Sequence, residues 1–157
     1  VRVIFITFVI MIEIYFDGAC RGNGQETNLG GAGFVAVQDN KPIHTHVEAR
    51  QNTTNNREEL WGLIRALKYL KDNNLKDIPV YGDSKYCITG ASVWMHKWSK
   101  NNWKKKKEDV KNADLWKKVY YLYNETSPNL IWIKSHQNKN NWNDYIDSKI
   151  NEDLDFN

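Results

Sequence analysis

A chain of 157 residues with 41% apolar and 26% charged side chains is long enough to bury one core and too short for two comfortable domains. Its two cysteines, Cys20 and Cys87, stand far apart and in no metal-ligand spacing, which excludes a disulfide framework and suits a reducing, cytoplasmic setting. The formal charge of +3 is modest but uneven, because nine lysines between Lys97 and Lys118 face only Glu108, Asp109 and Asp114, leaving about −3 for the rest.

The first segment, Val1 to Ile12, is apolar except for Arg2 and Thr7. Such a run falls short of the roughly 20 residues a membrane-spanning helix needs, and no small-residue cleavage site follows it. Residues 1–10 are read as an extended or artefactual leader and Met11 as a candidate true start, with 11–157 forming one domain. Ile12 to Phe16 then reads as a strand that delivers Asp17 into Gly18-Ala19-Cys20-Arg21-Gly22-Asn23-Gly24. Gly30-Gly31-Ala32-Gly33 running on into Phe34 to Val37 is a second strand, Asp39-Asn40-Lys41-Pro42 a hairpin turn and Ile43 to Ala49 a third strand, which together make a meander.

Asn55 or Thr54 caps a helix that runs to about Lys71, with Leu60, Leu63, Ile64, Leu67 and Leu70 as its buried stripe. At about 100° per residue Glu58 points almost opposite that stripe, whereas Glu59 lies about 75° from its centre, at the edge. Glu58 is therefore read as the solvent or capping-box acid reaching back to Asn55, and Glu59 as the acid able to lean into a site beside the sheet. Ile78 to Tyr81 forms a short fourth strand that ends at Asp83. Short helices follow at Ser84 to Thr89 and Ser92 to Trp98, a longer one at Ala113 to Asn124, a fifth strand at Leu130 to Lys134, and a last helix carrying Asp147. Strands alternating with helices in this way argue an α/β layer fold.

If the strands before Asp17 and Asp83 are parallel neighbours, both carboxylates emerge at the carboxyl edge of the sheet, where open α/β folds place their ligands. Two anions that close repel and call for a cation. The lysine window also carries Trp94, Trp98, Trp103 and Trp116, and that mixture offers phosphate neutralisation together with flat surfaces for sugars or bases. One basic face is expected, with a protrusion over about 92–112.

Asp17-Gly18-Ala19-Cys20, Thr53-Thr54-Asn55-Asn56-Arg57-Glu58-Glu59-Leu60, Asp83-Ser84-Lys85-Tyr86, Trp132-Ile133-Lys134-Ser135-His136 and Asn143 four residues before Asp147 resemble, in order, the signature blocks of type 1 ribonuclease H. The resemblance covers roughly residues 12–150 and extends to the basic protrusion of the bacterial enzymes. It implies a ribonuclease H-like fold with a five-stranded mixed sheet flanked by helices. The activity it implies is hydrolysis of the RNA strand of RNA–DNA hybrids, leaving 5′-phosphate and 3′-hydroxyl ends.

On the same resemblance, Asp17, Glu59, Asp83 and Asp147 hold two Mg²⁺ ions, with Mn²⁺ as a substitute, one activating the attacking water and the other stabilising the leaving 3′-oxygen. His136 shuttles a proton or helps product leave. Cys20, Asn23, Asn55 and Lys85 approach the RNA strand, where 2′-hydroxyls are sensed. Thr54, Asn56 and Trp94 hold the DNA strand. Trp98, Trp103, Trp116, Lys104 and Lys105 add sequence-independent affinity.

The pattern departs from the family at Gln137 to Trp142, which replaces a Gly/Pro-containing loop, and at Ser148-Lys149-Ile150 after Asp147, so Asp144 competes for the fourth position. A monomer with no membrane or obligate protein partner is expected. A non-catalytic hybrid-binding module and the ribonuclease H domain of a reverse transcriptase are the alternative readings.

Overall fold

The computed structural model describes residues 11–135 and 141–157; the leader 1–10 and His136 lie outside the described residues. Its central feature is a five-stranded sheet in the order β3-β2-β1-β4-β7. The first three strands, β1 (Ile12–Arg21), β2 (Leu29–Gln38) and β3 (Lys41–Gln51), form the antiparallel meander. β4 (Pro79–Gly82) and β7 (Asn129–Trp132) add parallel to β1 on the other side, giving the mixed sheet that the resemblance implies. Pro42 sits inside β3 without breaking it, because β3 is an edge strand and the ladder is bulged at Ala36/Val37.

Two of the meander strands are longer than the sequence suggests. β1 continues past Phe16 to Arg21, paired from Asp17↔Gly33 to Arg21↔Leu29, so Asp17 stands within a strand and not at its end. β3 likewise takes in Lys41 and Pro42, expected in the turn, and runs on to Gln51. Gly30 to Gly33 lie within β2, as the sequence suggests, and helices press on both faces there, so small residues are what that space admits.

Side-chain alternation along the sheet divides the core in two. Ile14, Phe16, Phe34 and Ala36 pack with Leu60, Leu63, Leu67 and Leu70 of α1 (Asn55–Asp72) and with Leu115, Trp116 and Val119 of α4 (Ala113–Thr126). Val35 and Val37 pack on the opposite face with Ile146, Ile150 and Leu154 of α5 (Trp142–Asp155). Thr54 is the cap of α1, its Oγ1 accepting from the Arg57 amide at 3.1 Å. Arg57 then reaches across to α4, where both its terminal nitrogens donate to Asp114 at 3.0 and 2.8 Å.

Between β4 and α4 the chain forms one continuous helical run where two separate helices were expected. It comprises α2 (Lys85–Thr89), a π-helical turn over Gly90–Trp94 and α3 (Met95–Lys100). Gly90 lets this run approach α4 closely, since a Cβ there would lie 2.1 Å from the Trp116 ring. A two-rung hairpin, β5 (Lys104–Lys105) with β6 (Glu108–Asp109), carries the lysine run.

Glu58 departs from its expected place. It is fully buried, where its carboxylate accepts from Arg50 Nε at 2.8 Å and from Thr53 Oγ1 at 2.7 Å. The helical wheel measures direction only against the stripe of α1; the edge strand β3 curls over the other flank and supplies Arg50. Burial alone would also raise the Glu48 carboxyl, yet hydrogen bonds from Arg65, His46 and Arg50 hold it down to about 2. Arg50→Met leaves the Glu58 carboxylate buried without its cation and held only by Thr53 Oγ1, and a loss of about 3–5 kcal/mol is expected in chemical denaturation.

Candidate metal centre and nucleic-acid face

Three carboxylates from distant parts of the chain converge where β1 and β4 lie side by side. One oxygen each from Asp17, Glu59 and Asp83 lies within 4.8 Å of the others. Asp17 is 5% exposed and its Oδ1 accepts from the Gly18 amide at 2.9 Å. Glu59 is half-buried as a residue, but its Oε2 is out of reach of solvent and unpartnered among the described residues. Asp83 follows β4 directly; its Oδ2 accepts from Asn143 Nδ2 at 3.3 Å. Asn143 is itself buried, and its Oδ1 is the other buried side-chain oxygen without a hydrogen-bond partner among the described residues.

Gathering acids in this way is costly. Burial, then the Asp83 charge, pushes the Asp17 carboxyl well above its ordinary range, against the opposing Gly18 hydrogen bond. Burial, then Asp17 and Asp83, does the same to Glu59. A buried oxygen left unpaired costs about 1–3 kcal/mol, so this cluster with its two orphaned oxygens fits a hard cation, which prefers oxygen ligands.

The pH dependence follows from those directions. Both carboxyls bind their proton more tightly folded than unfolded, so the stability they contribute is complete below the ordinary values of 3.8 and 4.5 and is lost as pH climbs through the raised folded values. A divalent cation held by the same oxygens would take the place of the protons. Thermal melts should therefore show Mg²⁺ raising Tm more at pH 8 than at pH 5, with about 2.7 kcal/mol gained when the ion stands at 100 times its Kd.

Of the two rivals on α5, Asp147 is the one whose charge acts on both Asp17 and Glu59. Asp144 lies in the first turn, where its amide donates to the capping Asn141 at 2.9 Å, and it lines a separate cavity with Asn40 and Lys149.

Beside the acids, three of the expected RNA-strand residues come together. The Cys20 amide donates to Asn55 Oδ1 at 2.7 Å and the Asn55 amide donates to Asn23 Oδ1 at 3.1 Å. Lys85 lies apart from them, its Nζ 4.7 Å from the centroid of the Trp132 ring. On the other flank a cavity of about 740 Å³ is lined by Asn56, Tyr86, Trp94, Trp98, Lys105 and Lys111 among others. Trp94 and Trp98 stand there with ring centroids 5.9 Å apart.

Other expected contacts are displaced. Trp116 is 0% exposed and its Nε1 donates to the Tyr86 hydroxyl at 3.0 Å, so it is a core residue that cannot touch substrate. Trp103 turns inward onto Tyr120, with ring centroids 5.6 Å apart, and does not line the cavity. Lys104 is exposed on β5, outside the lining. The basic window also splits: Lys117 and Lys118 line a second groove between α1 and α4, with Trp61, Arg65 and Lys68. Tyr86 was not singled out from the sequence, although it accepts from both Trp116 Nε1 and Asn112 Nδ2; its place after Asp83-Ser84-Lys85 was the available signal.

A family model described as RNase H matches residues 11–154. Ribonuclease H of Clostridium botulinum (strain Hall) is 40% identical over 148 residues, spanning 92% of this chain and 95% of the relative. Ribonuclease HI of Rickettsia conorii is 42% identical over 128 residues, spanning 81% and 80%. Among solved structures, LC9-RNase H1, described as a type 1 RNase H with the type 2 active-site motif, superposes with a TM-score of 0.76 at 24% identity, over 94% of this chain and 74% of that one. The acids that meet beside β1 and β4 thus lie within a match spanning nearly all the described residues, and the chain belongs to the ribonuclease H family.

Proposed function

We propose that this ribonuclease H cuts the RNA strand of RNA–DNA hybrids endonucleolytically, with Asp17, Glu59, Asp83 and Asp147 holding two Mg²⁺ ions, or Mn²⁺ in their place. The observation that carries this reading is the approach of three carboxylate oxygens within 4.8 Å, an arrangement that raises the energy of the metal-free protein and that a divalent ion relieves. When bound, the ions supply an activated water and neutralise charge on the leaving 3′-oxygen. That leaves 5′-phosphate and 3′-hydroxyl ends.

The chain's own residues bind and orient the hybrid. The linked Cys20, Asn55 and Asn23 offer a small polar ledge for the RNA strand, where 2′-hydroxyls are donors and acceptors. Asn56, Trp94 and Trp98 form the opposite wall, with Thr54 at the N-terminus of α1 also assigned to the DNA strand, and an indole face there leaves no room for a 2′-hydroxyl on that strand. Lys105 and Lys111 neutralise phosphates in a salt-dependent way. His136 is assigned proton transfer or product release. The unit is read as one domain over 11–157, acting as a monomer. The free thiols of Cys20 and Cys87 accord with a cytoplasmic setting.

The experiment compares labelled RNA–DNA hybrid, single-stranded RNA, double-stranded RNA and double-stranded DNA in Mg²⁺ and in EDTA. Cleavage of the hybrid RNA strand alone, lost in EDTA, is the expected result. Binding of the hybrid without cleavage in Mg²⁺ or Mn²⁺ would replace this reading with a non-catalytic module. In the same assay Asp147→Asn should cost about 10²-fold or more in kcat, while Asp144→Asn stays within about twofold; the reverse would move the fourth ligand to Asp144.

A further inference from the structure

Trp132 is a large apolar side chain in an unusual place. It ends β7, the edge strand opposite β3, and is 40% exposed. Among the described residues its indole belongs to neither apolar cluster, so core packing does not account for it. Its contacts are instead with the segment that carries the third acid. The last rung of the parallel ladder is Gly82↔Trp132, with the Ile133 amide donating to the Gly82 carbonyl at 2.9 Å. Beyond that rung the indole takes over, and Trp132 Nε1 donates to the Asp83 carbonyl oxygen at 3.0 Å. One edge of the ring is thereby tied to the main chain of a metal-site acid, and its face is presented to Lys85 Nζ, 4.7 Å from the centroid.

We propose that Trp132 is a positioning residue that holds Lys85 beside the carboxylate cluster, so that its ammonium meets a phosphate of the RNA strand next to the one being cut. This rests on the reading that the substrate is an RNA–DNA hybrid. A lysine free in solvent samples many rotamers and loses that freedom on capturing a phosphate. Resting on an aromatic face, it is already confined, and the ring quadrupole favours its charge. Ser84 caps α2 by accepting from the Cys87 amide at 3.1 Å, which fixes the backbone from which Lys85 departs. The anchored ring and the capped turn together keep a cation two residues from Asp83 while leaving its charge exposed.

The test measures KM and kcat on the hybrid across a range of KCl for the full chain, K85Q, W132L, W132F and the double variant W132L/K85Q. K85Q and W132L should each raise KM about fivefold, the scale of one cation–π contact, and flatten its salt dependence, with kcat falling less than KM rises. W132L should add nothing once K85Q is present, and W132F, which keeps a ring face but loses the Nε1 anchor to Asp83, should restore part of the affinity. If W132L lowers kcat by the same factor with or without K85Q, the indole merely braces the Asp83 main chain and the inference is overturned. A wild type that cleaves while W132L and K85Q leave KM unchanged overturns this inference alone. A wild type that neither binds nor cleaves the hybrid overturns the proposed function along with it.

Discussion

Asp17→Asn is expected to remove hybrid cleavage almost completely while making the metal-free protein more heat-stable. The loss should be about 10³-fold or more in kcat/KM, the scale of removing one preorganised electrostatic group from a water-poor site. The gain has the opposite cause. Asp17 is nearly buried beside Asp83, Glu59 and Asp147, and its carboxyl is pushed well above its ordinary range by burial and then by Asp83. Asparagine keeps an oxygen for the Gly18 amide that now bonds Oδ1 at 2.9 Å and removes one charge from the cluster. Steady-state kinetics with melts in EDTA and in Mg²⁺ check both halves. Tm should rise in EDTA, and the further rise that Mg²⁺ gives the wild type should shrink. A variant that loses activity and also melts lower in EDTA would show that Asp17 stabilises the metal-free fold, contrary to the repulsion argument.

Gly18→Ala should be the most damaging change outside the acids. A Cβ at this position would lie 2.3 Å from both the Glu58 carbonyl carbon and the Glu59 amide nitrogen. Those are backbone atoms in the first turns of α1, so nothing flexible can yield. The same peptide is held from behind, since Glu58 is locked by Arg50 and Thr53. The helix must move away from β1, and Glu59 moves with it. A loss above about 4 kcal/mol is expected from forced overpacking of this kind, together with a higher Mg²⁺ concentration for half-maximal activity in whatever folded protein remains. Urea denaturation and a Mg²⁺ titration of activity separate the two effects. Unchanged stability would mean that α1 can slide on β1 without cost.

The acids were legible in the sequence because each has a local signature. Asp17 follows an apolar strand, Asp83 ends another, and Glu59 lies at the edge of a helical stripe with a period near 3.6 residues. Glu58 was misread for the same reason that Glu59 was found. A helical wheel describes one helix and its own stripe, and carries no record of the strand that crosses its far side. Trp116 was misread because its neighbours Lys117 and Lys118 are exposed; only the approach of Gly90, Tyr86 and Trp98 puts the ring inside. Gly30 to Gly33 were legible as strand, but that α5 and the first turns of α1 press on them from opposite sides was not.

What the sequence by itself determined is what depends on short-range chemistry: the periodicities that make strands and helices, the order of the elements, the motifs that carry the acids, and the lysine-rich insertion. The tertiary structure decided everything that depends on which surfaces meet. It chose Asp147 over Asp144 as the acid whose charge reaches Asp17 and Glu59, divided the lysines between two grooves, buried Glu58 against Arg50, and laid Lys85 on Trp132, 47 positions further along the chain. Side-chain direction along one element follows from its backbone period, but the charge, burial and partner of that side chain are properties of the space between elements, and no local pattern contains them.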